Sequence, residues 1–450
     1  MFAKVQNALL SAFIVFTASA CAQSGPIGGL PQPAKNAQRT GASAGSSSKI
    51  QHVVIVIQEN RSFDNIFAGY PGADAPTYGY MSTGKLVNLK AIGFGGSDLA
   101  HGYKAALVDY DGGKMDGFDL NSPYVPKYPY SYVKREAVKP YWTMAQQYVL
   151  ADRMFPTELG GSFAAHLNLI AGTDQLSPDL AEADNPSNTP WGCDAPPSTQ
   201  STTVNSNRQI SIHGPFPCFT QFKTMADILD PANVSWKYYA PQTFGCPTTC
   251  DGGGLIWSEF DAISSVRYGP DWSKDVINPQ TTILSDAANG NLAAVSWVVP
   301  DWKDSDHPHS NSDTGPSWVA AIVNAIGKSK YWKSTAIVVL WDDWGGWYDD
   351  AAPPQLDWEG LAIRVPCIII SPYAKAATVS HTQYESGSIL KFVEETFNLP
   401  SLGYTDARAN SISDSFDFTQ KALRFKRIPA KYPPPHFQHE RPSFKPPDSE

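Results

Sequence analysis

Four unbroken apolar runs set the narrowest limit on what this chain can fold into. Residues 52–57 read His-Val-Val-Ile-Val-Ile, and comparable runs recur at residues 293–299, 335–341 and 365–370. Side chains in a strand alternate between the two faces of a sheet, so a β-branched run without polar alternation must be covered on both faces. Segments of helical character lie between and beyond these runs, at residues 139–148, 223–229, 318–325 and 388–397. Alternating strands and helices place helices on both sides of a mostly parallel sheet. The expected fold class is therefore α/β, a mostly parallel central sheet flanked by helices.

Ligands of an open parallel sheet bind beyond the carboxyl ends of its strands. Two of the runs end in acidic clusters. The first passes into Gln58-Glu59-Asn60-Arg61-Ser62 and the third into Asp342-Asp343-Trp344-Gly345-Gly346. Neighbouring carboxylates repel one another unless a cation sits between them. Alone, Asp342-Asp343 also suits a plain turn before the two glycines. Together with Glu59 and Asn60 it reads as a metal site. Three carboxylates and an amide oxygen are hard donors, favouring Ca2+, Mg2+ or Mn2+ and leaving Zn2+ and iron open.

A third element is Glu158-Leu-Gly-Gly-Ser162-Phe-Ala-Ala-His166. Two glycines allow a sharp turn before an apolar helical stretch, which puts Ser162 at or near a helix N-terminus. Unpaired N–H groups and the helix dipole favour an anion there. The commoner fate of such a serine is to cap the helix; it also binds phosphate, or attacks it once a metal lowers its hydroxyl pKa. His166, one turn on, is placed to face the same pocket. His101 follows Ser97-Asp98, while His307 and His309 lie in Asp306-His-Pro-His. Histidines in a cleft donate to phosphoryl oxygens and protonate a leaving alcohol, although a lone loop histidine is ordinarily only solvated. His381 is a further, weaker candidate.

The N-terminus describes export. Lys4, an apolar run over residues 8–20 and the small residues Ala18-Ser19-Ala20 make residues 1–20 a signal peptide, too short for a permanent membrane helix. Cys21 leaves two outcomes open, a periplasmic or secreted protein or a lipoprotein anchored through that cysteine. No other segment carries 18 consecutive apolar residues, so no transmembrane helix is expected. Residues 21–49, rich in Gly, Ser, Pro and Ala, form a disordered linker; residues 50–430 form the main domain, with a loop-rich insertion at about 177–254; residues 431–450 form an irregular tail. An oxidising compartment turns the four cysteines of that insertion into the staples Cys193–Cys218 and Cys246–Cys250, in preference to a zinc site, and leaves Cys367 a buried thiol. The net charge of −9 argues against a nucleic-acid partner, which would want a basic face.

In order along the chain, residues 53–69 (VVIVIQENRSFDNIFAG), 98–101, 113–118, 162–172, 234–239, 307–308, 341–350, 364–366, 371–374 and 388–394 together resemble the bacterial phosphoesterase family of non-haemolytic phospholipases C and secreted acid phosphatases. The resemblance spans about residues 50–399. It implies an alkaline-phosphatase-like α/β fold and one divalent metal held by Glu59, Asn60, Ser162, Asp342 and Asp343. It also implies a Ser162 nucleophile, phosphate-binding His101 and His307, and a phosphate-ester substrate cleaved in two displacements. This chain departs from the family in having Asp350 where members carry histidine, and Ala164-Ala165-His166 where members carry Pro-Asn-Arg. A sulfatase-like reading lacks its Cys/Ser-x-Pro-x-Arg motif near Ser162. An inactive binding protein on the same fold would have lost one of the five site residues, and all five are present.

Overall fold

A computed structural model describes residues 49–243 and 256–446. The expected signal peptide, Cys21 and the expected Cys246–Cys250 pairing lie outside the described residues. One sheet of eight strands organises the rest: His52–Gln58 (β1), Val149–Met154 (β2), Trp236–Tyr239 (β3), Val276–Ile277 (β4), Val295–Val298 (β5), Thr335–Trp341 (β6), Val365–Ile370 (β7) and Thr378–Ser380 (β8), in the order β4-β3-β5-β1-β6-β7-β2-β8.

Central β1 pairs in parallel with β5 (Val53↔Val295) and with β6 (His52↔Thr335 through Gln58↔Trp341). All seven residues of β6 and all six of β7 are buried, which is why those runs show no polar alternation. Among the described strands of this sheet, β7 alone runs against the others, pairing antiparallel with β6 and β2. Its amino end therefore lies beside the carboxyl ends of its neighbours. The α/β expectation holds, with this one reversal.

Helices Lys139–Gln147, Gly315–Lys328 and Ser386–Phe397 stand where helical segments are expected, and the segment at 223–229 shortens to Ala226–Leu229. Thr224 directs both its N–H and its hydroxyl to Asp227 Oδ2, at 2.8 and 3.1 Å, a local turn that competes with an earlier helix start. The stretch 177–254 is not one insertion, because it supplies β3 to the main sheet. Its earlier part joins Gln175–Ser177 in a separate four-stranded antiparallel sheet with Leu180–Asp184, Thr202–Asn205 and Ile210–Ser211. The disulfide Cys193–Cys218 is formed, and Cys367 is a buried thiol. The tail is not wholly irregular. Pro434–His439 is helical and buries Phe437 against Trp318, ring centroids 5.4 Å apart.

Candidate active site

The site is assembled where β1 and β6 end side by side. Asp342 N–H donates to Gln58 O at 3.0 Å, and Asn60 N–H donates to Asp342 Oδ1 at 3.0 Å. Asn60 sits at φ 56°, a left-handed conformation that Asn tolerates better than most residues. Gly345, at φ 62°, lies so close that a Cβ there would stand 2.2 Å from the Asn60 carbonyl oxygen. Only glycine lets the two strand-end loops touch at this point.

Side chains then sort into three groups. In the first, Glu59, Asp342 and His166 each offer a ligand atom within 4.8 Å of the others. His166 Nε2 lies 3.4 Å from Glu59 Oε1 and 3.8 Å from Asp342 Oδ2, and all three side chains are fully buried.

Ser162 begins the helix Ser162–Ala171. Gly161 occupies the cap position and Ser162 is already helical, so the capping role does not apply. Its Oγ donates instead to Asp343 Oδ2 at 2.8 Å. The Asn60 amide nitrogen lies 3.4 Å from Ser162 Oγ and 3.3 Å from Asp343 Oδ2, and bonds His101 Nε2 at 2.8 Å. Asn60 Oδ1 is buried with no hydrogen-bond partner among the described residues. Asp343 Oδ1 accepts Gly345 N–H at 2.7 Å, which fixes the carboxylate with its other oxygen toward the serine.

Histidines form the third group. His101 Nδ1 donates to Leu99 O at 2.6 Å, so its Nε2 is the acceptor for the Asn60 amide. His307 Nδ1 accepts His309 N–H at 3.4 Å, which leaves the proton of the neutral ring on Nε2. The two rings stand 6.2 Å apart, with Asp98 between them, 3.9 Å from His101 Nδ1 and 4.0 Å from His307 Nε2.

Of the expected residues, Glu59, Asn60, His101, Ser162, His166, His307, Asp342 and Asp343 reach this region, and His309 and His381 do not. His309 is exposed and its contribution is the backbone N–H given to His307. His381 pairs with Asp152 at 2.8 Å, outside all three groups. His166, expected among the catalytic histidines, instead stands with Glu59 and Asp342, while Asp343 turns to Ser162. Arg61 also belongs to the site, though no pattern in the sequence singles it out. Fully buried, it donates to Asp306 O at 2.9 Å, Phe94 O at 2.8 Å and Asn65 Oδ1 at 3.2 Å, tying the end of β1 to the loop that bears His307. A charged residue inside a strand-end motif was the only available signal.

A second acidic cluster lies at the same end of the sheet. Arg364, just before β7, places Nε 2.9 Å from Asp349 and a terminal nitrogen 2.9 Å from Asp350 and 3.4 Å from Asp64. Asp350, the residue that departs from the family pattern, is thus an ion-pair partner of Arg364.

Comparison with known proteins adds four findings. The Phosphoesterase family model matches residues 50–400. Phospholipase C B of Mycobacterium tuberculosis is 24% identical over 454 residues, covering 85% of this chain and 81% of that protein. Non-hemolytic phospholipase C of Pseudomonas aeruginosa is 23% identical, covering 83% of this chain and 58% of that protein. Among solved structures, a protein in the alkaline phosphatase superfamily from Vibrio parahaemolyticus aligns with a TM-score of 0.37 at 10% identity, over 83% of this chain and 73% of its own.

Proposed function

Because this chain belongs to the phosphoesterase family and is a hydrolase of phosphoric ester bonds, we propose that it is an exported, metal-dependent enzyme working through a phosphoserine at Ser162. Its substrates are phosphodiesters of the phospholipase C kind or the monoesters of an acid phosphatase. The observation that carries this reading is the Ser162 Oγ bond to Asp343 Oδ2 beside the Glu59, Asp342 and His166 group.

The donors fit a divalent cation. Two buried carboxylates and an imidazole converge, and Asn60 Oδ1 is a buried oxygen that has no hydrogen bond among the described residues. Glu59, Asn60, Asp342 and Asp343, with His166, would hold the ion; the imidazole widens the choice from Ca2+, Mg2+ or Mn2+ toward Zn2+. When bound, the cation supplies Lewis-acid polarisation of the phosphoryl group and lowers the pKa of a nearby hydroxyl.

Asp343 Oδ2 takes the Ser162 proton as Oγ bonds to phosphorus. The bond from phosphorus to the leaving oxygen breaks, and His307, as an imidazolium whose Nδ1 carries a proton in place of accepting the His309 N–H, protonates that oxygen from Nε2 and is left a neutral ring. The Asn60 amide N–H binds a phosphoryl oxygen, and His101, held by Leu99 O, orients that amide through Nε2. In the second half-reaction His307 takes a proton from the attacking water, the bond from phosphorus to Oγ breaks, and Ser162 recovers its proton. Export rests on the leader over residues 1–20, with release or anchoring through Cys21 as its two outcomes. No helix of the described residues is long and apolar enough to cross a membrane.

The test is Ser162→Ala. Turnover of p-nitrophenyl phosphate and p-nitrophenyl phosphorylcholine should fall at least roughly a thousandfold, about 4 kcal/mol of barrier, with unchanged melting behaviour and no trapped phosphoprotein. A variant keeping more than a tenth of wild-type turnover would rule the covalent route out.

A further inference from the structure

Beside the reaction centre opens a cleft of about 400 Å3. Phe163, Trp191 and Trp257 supply its aromatic walls, and Thr243, Ser258 and Glu259 its polar ones. Phe163 directly follows Ser162, and the Trp257 ring packs edge-on against His166 with centroids 4.7 Å apart. The cleft therefore adjoins both the nucleophile and the candidate cation site.

Its walls are pinned from behind. Cys193, bonded to Cys218, sits in the turn Gly192–Asp194. Arg267 joins Asp194 at 2.8 Å to Asp261 at 3.2 Å, and Asp261 belongs to the turn Glu259–Ala262. The shared guanidinium ties the two turns to each other and the disulfide anchors the first, which fixes the spacing of these walls.

The polar atoms indicate what fills it. Trp257 Nε1, Ser258 Oγ, Thr243 Oγ1 and Glu259 Oε1 are buried with no hydrogen-bond partner among the described residues, and Glu259 is only 2% exposed. Buried polar groups are ordinarily paired, so four around one cleft imply a ligand that pairs with them. The set is mixed. An indole N–H only donates, hydroxyls donate and accept, and a carboxyl accepts. Burial holds the Glu259 carboxyl well above its ordinary range, so it also stands ready to donate. A trimethylammonium group would use the aromatic faces but leave the indole and hydroxyl donors unpaired. An acyl chain would leave all four unpaired. A sugar or cyclic polyol uses both kinds of wall, its C–H face against the rings and its hydroxyl rim against the polar atoms.

We propose that this cleft is the subsite for a polyhydroxylated group esterified to the phosphate, and not for choline or a fatty chain. The proposal rests on the phosphoester-hydrolase reading of the Ser162 site.

Two sources carry such a group, soluble sugar phosphates and the headgroup of an inositol lipid. The experiment compares glucose 1-phosphate and phosphatidylinositol vesicles with methyl phosphate and phosphatidylcholine vesicles, on the wild type, Trp191→Ala and Glu259→Leu. Wild type should prefer the hydroxylated member of at least one pair by tenfold or more in kcat/KM, and that pair identifies the source. Both variants should lose at least tenfold on that substrate and less than threefold on methyl phosphate, which also shows that they fold. Glu259→Gln, able to hydrogen-bond, should recover most of the loss. Equal use of hydroxylated and plain esters, or a uniform fall across all substrates, overturns the cleft while leaving the hydrolase reading intact. Binding is read apart from turnover by saturation-transfer NMR of myo-inositol 1-phosphate on Ser162→Ala. Saturation of the ring protons that Trp191→Ala abolishes is expected. Absence of transfer sinks the proposal even if no ester is turned over.

Discussion

Around Arg364, the carboxylates of Asp64, Asp349 and Asp350 close on one guanidinium; elsewhere at the same end of the sheet, Glu59 and Asp342 meet the imidazole of His166. Both clusters gather acidic groups at a strand end, and both are buried or nearly so. They differ in the neighbour that answers the charge. A guanidinium is permanently cationic and covalently part of the chain, so its cluster is a fixed joint between the β1, β6 and β7 ends. An imidazole can offer a ring nitrogen to a cation, so on the proposed reading its cluster is a set of ligands. Acidic residues alone do not distinguish a site from a joint. The partner does.

The sharpest way to break the comparison is Asp342→Asn. Bound divalent metal, measured by elemental analysis, should fall to trace levels and kcat should drop at least roughly a thousandfold, about 4 kcal/mol, with little loss of fold. The opposite profile is expected of Arg364→Met. Removing the guanidinium strands three buried carboxylates and should destabilise the protein by about 3 kcal/mol or more, read by denaturant melts. Turnover per folded molecule should stay within about fivefold of wild type; loss of chemistry without loss of stability would merge the two clusters into one site.

Metal loading gives a smaller effect. Adding the cognate ion to chelated protein at about a hundred times its Kd should stabilise the fold by about 2.7 kcal/mol. Arg364→Met should keep that increment and Asp342→Asn should lose it. The smallest effect is a pH slope. Burial pushes Asp349 up to about 7 against the pull of Arg364, so the folded joint holds a proton that the unfolded chain sheds near pH ~4. The stability tied to that proton is complete below about pH 4 and is lost as pH rises toward 7. Between pH 4 and 8 the melting temperature of Asp349→Asn should decline less than that of wild type, and an unchanged slope would remove Asp349 from the account.

Much of this arrangement was legible because burial leaves a mark in sequence. β1, β6 and β7 are apolar on both faces, and that pattern located them to within a residue. β2 escaped because Val149–Met154 carries Asp152 and Arg153, and β3 because Trp-Lys-Tyr-Tyr lies in a stretch dominated by turn-forming residues. Both strands owe their place to the sheet they join, which local propensity does not record. In the site, Glu59, Asn60, Asp342 and Asp343 were readable from strand ends. The division of labour between Asp342 and Asp343 was not, since it depends on which carboxylate faces His166 and which faces Ser162. The contrast between the acidic clusters was equally hidden, because it turns on the direction of β7, which brings Arg364 to the end of the sheet where the acids lie.

The central place of β1 also bears on how the protein is made. The strand leaves the ribosome early, yet its partners on both sides, at Val295 and Thr335, come from beyond the middle of the chain. At roughly 5–20 residues per second of synthesis, that run of apolar residues waits on the order of ten seconds or more before either neighbour exists. A polypeptide whose innermost strand cannot be paired until its late segments arrive stays unfolded for most of its synthesis. An unfolded chain is also the form that a general secretion channel threads, so the strand order of the sheet suits the export proposed for this chain.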